Sequence, residues 1–84
     1  MKNIDLIISN IEEAKEELEE LLNEIKSDPE YTEGELRIGL EHAYHHLNYA
    51  WNIRDVNEER VGECSQDDFI EWSKYPVGEI HEYE

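Results

Sequence analysis

Residues 32–53 read TEGELRIGLEHAYHHLNYAWNI, and this stretch decides the architecture. Thr32 is followed three residues later by Glu35, the capping-box pattern in which a hydroxyl and a carboxyl satisfy free amides at a helix start. Leu36, Leu40, Ala43, Leu47 and Ala50 then recur in alternating steps of four and three, the spacing that keeps apolar side chains on one line of a helix. The remaining sides are not ordinary surface. Tyr44 and Trp51 flank the line on one side, Gly39 and His46 on the other. The far side carries Ile38, His42, His45, Tyr49, Asn52 and Ile53, and only Arg37, Glu41 and Asn48 read as a solvent-facing strip. A helix that is apolar or aromatic almost all round is covered on more than one side. One neighbouring helix cannot do that, so the C-terminal segment or a second copy of the chain must contribute.

The first neighbour lies upstream. Ile4, Ile7, Ile11, Ala14, Leu18, Leu21 and Ile25 repeat the same heptad steps, and Ile8 and Leu22 broaden the stripe. Asn3 is a natural N-cap, Asp5 suits the positive end of the helix dipole, and Asp28-Pro29 stops the helix because the residue before proline avoids helical dihedrals. Helices over about 3–28 and 32–54, joined by a short connection, predict an antiparallel helical hairpin. Downstream, Asp55-Val56-Asn57-Glu58 starts a short helical turn, and Ser65-Gln66-Asp67-Asp68 opens a short third helix over about 65–75. Phe69 and Trp72, three apart on it, reach one surface. Tyr75-Pro76 ends it, making 1–76 a single helical domain, and residues 77–84 have no period and read as a tail. The fold class is therefore all-α: a long antiparallel hairpin plus a short third helix. Two copies are expected to pair into a dimeric four-helix-bundle-like assembly through Ile38, His42, His45, Tyr49, Asn52 and Ile53.

Composition narrows the function classes. The chain has 84 residues, 23 acidic and 7 basic, for a net charge of −16. Residues 1–30 carry 10 acids and 3 bases, residues 31–54 carry 3 and 2, and residues 55–84 carry 10 and 2. The second helix is thus the nearly neutral part, as a buried element should be. So acidic a chain repels phosphates, which argues against direct nucleic-acid binding. No apolar run approaches the ~18 residues of a membrane span, and Leu6-Ile7-Ile8 is too short for a signal peptide's apolar region. A single cysteine, Cys64, allows no internal disulfide, and a reducing, cytoplasmic setting follows as the expectation. Glu63, Asp67 and Asp68 around Cys64 disfavour a thiolate nucleophile.

The one chemical cluster is Glu41-His42-Ala43-Tyr44-His45-His46. His42 and His46 stand at i and i+4, the helical spacing that lets two imidazoles share one metal ion. His45, about 100° round from His46, is the alternate partner for His42. Neither an HExxH pattern nor paired Glu-x-x-His motifs accompany them. The residues favour packing imidazoles with hydrogen-bonded tips, and a divalent metal is the alternative. If the imidazoles line a dimer interface, protonation sets like charges together and weakens association in acid.

No complete catalytic constellation is present, and the expectation leans away from an enzyme. The leading functional reading is a homodimeric protein-interaction module. Two alternatives stand beside it: an acidic inhibitor or antitoxin-like binder of a basic protein, built on the glutamate face of the first helix, and a metal-binding helical bundle.

Overall fold

The computed structural model describes residues 1–72, and every regular element among them is helical. Four helices follow in order: α1 (Ile4–Ser27), α2 (Glu33–Asn52), α3 (Glu58–Glu63) and α4 (Gln66–Trp72). The expected end of the third helix near residue 75, the domain boundary at 76 and the tail over 77–84 lie outside the described residues.

Local chemistry sets the element ends. At Asp28-Pro29 the Asp28 side chain accepts from the Glu30 amide at 2.9 Å, and the Tyr31 amide donates to the Asp28 carbonyl at 3.2 Å. Thr32 Oγ1 accepts from the Glu35 amide at 3.2 Å, which caps α2. The Glu35 carboxylate accepts from the Thr32 hydroxyl at 3.3 Å, so the two side chains of the capping box meet each other, and its amide bond is the one from Glu35 to Thr32 Oγ1. Asn57 caps α3 through the Glu59 amide at 2.8 Å, and Ser65 Oγ accepts from the Asp68 amide at 3.1 Å to start α4. Arg60 Nη2 donates to Asp68 Oδ1 at 2.8 Å and joins the two short helices.

Asn3 departs from its expected role. It sits in the left-handed region at φ 57 and makes no side-chain cap. Its Nδ2 instead donates to the carbonyls of Ile53 at 2.7 Å and Val56 at 2.9 Å, while the Lys2 amide donates to the Arg54 carbonyl at 2.7 Å. The start of α1 is thereby tied to the end of α2. Further along, Glu13 meets His46, Glu17 meets His42, and Leu21 lies over Gly39. Numbers fall on α1 as they rise on α2, so the pair is antiparallel.

The contact line differs from the expected seam. Its α1 side runs through Ile7, Asn10, Ala14, Glu17 and Leu21, and its α2 side through Leu36, Gly39, Ala43, His46, Ala50 and Ile53; all are buried or half-buried. Ile4, Ile11, Leu18, Ile25, Leu40 and Leu47 are instead 39–51% exposed. The reason is side-chain volume. Ala14, Gly39, Ala43 and Ala50 let the backbones approach closely, and a Cβ on Gly39 would stand 2.6 Å from Leu21 Cδ1. A rotation of less than one residue step about each axis turns this small-residue line inward. Asn48, expected to face solvent, is only 5% exposed.

The second side of α2 is partly covered within the chain. Ile53 is fully buried with Val61 of α3 and Trp72 of α4, and Ile7, Tyr49, Val56 and Cys64 pack around them. Phe69 and Trp72 reach one surface, as their spacing predicts: both rings lie against Tyr49, with centroids 6.3 and 5.9 Å away. Asn52 Nδ2 donates to the Trp72 carbonyl at 2.9 Å.

Candidate functional site

Two sides of the hairpin concentrate the candidate functional residues. The first is polar and imidazole-rich. The α1–α2 contact places His46 Nδ1 at 3.0 Å from Asn10 Oδ1 and 3.1 Å from Glu13 Oε2. One helical turn away, His42 Nδ1 lies 3.5 Å from Glu17 Oε1. Glu13 and Glu17 are four apart on α1, as His42 and His46 are on α2, so antiparallel packing matches them rung for rung. The His42 side chain is 60% exposed and that of His46 is 31% exposed. His42, His45 and His46 line a groove of ≈ 310 Å³ together with Asn10, Tyr49 and Phe69.

This groove gathers all three histidines singled out in the sequence. Asn10 joins them in its lining, and Glu13 and Glu17 meet two of the rings from α1; the sequence alone does not single these three out. Glutamates line much of α1, and only the register of the hairpin picks out which two face α2. Among the described residues no three of His, Cys, Asp and Glu are arranged to hold one ion. His42 and His46 each have a carboxylate of α1 beside Nδ1.

At the α4 end of the groove the Tyr49 hydroxyl donates to Cys64 Sγ at 3.8 Å. Burial pushes the Tyr49 phenol up to about 12, helped by that hydrogen bond and by the charges of Cys64 and Asp68. The phenol is therefore a neutral donor through the ordinary pH range. Arg60 holds the Asp68 carboxyl below its usual range through their hydrogen bond. Of the residues expected to mediate pairing, Tyr49, Asn52 and Ile53 are engaged by α3 and α4, while Ile38, His42 and His45 remain exposed.

The second side is apolar. On α1, Ile4, Ile8, Ile11, Leu18, Leu22 and Ile25 form a row, each 39–51% exposed. On α2, Leu40, Tyr44, Leu47 and Trp51 form another, over the same range of exposure. At ~100° per residue the rows lie about 80–100° round from their contact lines, displaced in the same sense along the chain. Antiparallel helices displaced in the same sense present both rows on one side of the hairpin. A groove of ≈ 700 Å³ runs along part of this side beside Leu36, Leu40 and Tyr44.

Along this side bases and acids come close to balance, since Glu12, Glu19, Glu33 and Glu41 border the rows together with the bases. Lys15 falls within the α1 row, Lys26 and Arg37 border the rows by helical position, and the Arg54 guanidinium lies 3.7 Å over the Trp51 ring. Arg37 Nε donates to Glu41 at 3.0 Å, and Lys15 lies 3.9 Å from Glu19. Among the described residues no helix is long and apolar enough to cross a membrane. Compared with protein families, curated proteins and solved structures, the chain matches none of them.

Proposed function

We propose that this chain is a homodimeric protein-interaction module whose hairpins pair through the shared apolar side into a four-helix bundle. The observation that carries this reading is the coincidence of the two exposed rows on one side of the α1–α2 pair. Ten aliphatic and aromatic side chains at this exposure present on the order of 800 Å² of apolar surface, which exceeds the ~300–600 Å² of a typical monomer's largest patch. It approaches the ~800 Å² per partner of a standard interface. The heptad spacing of both rows is the pattern that bundle packing uses.

A second copy is the occupant that best fits the charge. Two chains of −16 repel, but Lys15, Lys26, Arg37 and Arg54 cluster at this side, and they are four of the six bases among residues 1–72. In a two-fold arrangement they meet the partner's glutamates along the rim, where Glu12, Glu19, Glu33 and Glu41 lie. The excess negative charge sits on the outer sides. The pairing surface is thus the opposite side of α2 from Ile38, His42 and His45.

Sedimentation velocity over a concentration series tests the proposal, with Ile11→Glu and Leu47→Glu as variants. Both side chains are about half exposed, so a carboxylate at either place can reach water within the monomer. Dimeric wild type with monomeric, equally helical variants is the expected result. A monomeric wild type overturns the reading, and so does a dimer that survives both changes or is split by Ile38→Glu instead. A monomer that forms salt-sensitive complexes with a basic protein would favour the acidic-binder alternative.

A further inference from the structure

The geometry points to His42 and His46 as a two-imidazole chelate for one divalent transition-metal ion, with Glu17 and Glu13 as the carboxylates that orient them. The i, i+4 spacing alone is a weak signal. The structure adds what the spacing lacks, because each imidazole already has its Nδ1 against an oxygen of α1. His46 Nδ1 faces Asn10 Oδ1 at 3.0 Å and Glu13 Oε2 at 3.1 Å, and His42 Nδ1 faces Glu17 Oε1 at 3.5 Å. These oxygens only accept, so the contact at His46 favours the Nδ1–H tautomer with the lone pair on Nε2, and the Glu17 carboxylate favours the same tautomer at His42. Metal-bound histidines show the same arrangement, the far ring nitrogen donating to a carboxylate that fixes the tautomer and raises ligand basicity. Here an oxygen of α1 stands against each Nδ1, hydrogen-bonded at His46 through Asn10 with Glu13 beside it and more distant at His42, on two rings one turn apart that line the same groove.

The chemical class of the ion follows from the donors. Two neutral imidazoles suit Ni²⁺, Cu²⁺ or Zn²⁺ and disfavour Mg²⁺ and Ca²⁺, which prefer all-oxygen shells. Two protein ligands leave the other coordination positions to water or to a small ligand in the groove. Glu13 and Glu17 also place negative charge beside the cation. The site lies on the opposite side of α2 from the apolar rows, so it stands independently of the dimer proposal.

The test is calorimetric titration of the chelator-treated, untagged full chain with Ni²⁺. One equivalent per chain is expected. His42→Gln and His46→Gln should each weaken binding by at least about tenfold, and Glu13→Ala with Glu17→Ala should weaken it as well, through lost orientation. His45→Gln is expected to change it little. Independently, ¹⁵N imidazole shifts of the metal-free protein should report the Nδ1–H tautomer at His42 and His46. Nickel binding that is undiminished in the His42→Gln/His46→Gln double variant overturns the assignment. Absence of saturable binding does the same, as does an Nε2–H tautomer at both rings.

Discussion

Adding one methyl group at Gly39 tests how α1 and α2 meet. A Cβ built there stands 2.6 Å from Leu21 Cδ1 and 3.6 Å from Leu21 Cγ. Carbon atoms in ordinary contact are ~3.5–4.0 Å apart, so Leu21 must give way by about 1 Å. Leu21 is 8% exposed, so moving Cδ1 takes it out of its seat on α2 toward the groove that it lines with Gly39. Overpacking of this kind costs about 1–3 kcal/mol. Replacing an interior helical glycine by alanine gains about 1 kcal/mol of helix propensity. The net expectation for Gly39→Ala is a loss of about 1 kcal/mol, despite its being a helix-favouring change. Leu21→Ala alone removes a buried side chain and costs about 2–3 kcal/mol. In the double variant the methyl added at position 39 enters space that the leucine has left, so the clash disappears and the propensity gain remains. The double variant should therefore be about 1–2 kcal/mol more stable than the sum of the single changes. Urea unfolding at one fixed protomer concentration measures the cycle, since self-association would otherwise shift the midpoints. With a slope near ~1 kcal/mol/M, the coupling appears as a midpoint difference of over ~1 M. A cycle that closes to within ~0.5 kcal/mol refutes the proposed seating of Leu21 over Gly39. A Gly39→Ala variant that is more stable than wild type by the full propensity term refutes it equally.

Asn3→Gly keeps the left-handed backbone accessible and deletes the hydrogen bonds to Ile53 and Val56. It should cost about 1–2 kcal/mol in a thermal melt, and an unchanged midpoint would remove the clasp from the account. Tyr49 binds its proton more tightly when folded, so the stability it contributes is complete below pH ~10, the unfolded phenol value. That contribution declines as pH rises toward about 12. The wild-type minus Tyr49→Phe stability difference should therefore fall over that window, and a flat difference contradicts the assignment. Asp68 has the opposite sign: its depressed carboxyl contributes stability that is lost as pH falls through its folded value. Arg60→Ala should therefore weaken the acid dependence of unfolding.

Local chemistry in the sequence determined where helices begin and end. Thr32, Asn57 and Ser65 cap with their own side chains, and Asp28-Pro29 breaks the chain, because each acts on amides within a few residues of itself. The heptad steps also determined that α1 and α2 pair, and Phe69 with Trp72 declared a common surface. Only the tertiary structure decided which part of the broad apolar stripe turns inward. Periodicity locates a helix face to about one residue step, and the expected seam and the observed contact line differ by less than that. The choice fell to side-chain volume at Ala14, Gly39, Ala43 and Ala50, and to contacts distant in sequence: Asn3 with Ile53, and Asn10 and Glu13 with His46. Those pairings depend on antiparallel register, which no single helix encodes. The same register selects Glu13 and Glu17 from a row of glutamates and sets them against the imidazoles. It also leaves Ile11, Leu18, Leu40 and Leu47, which the sequence alone would bury, on the surface where a second copy can meet them.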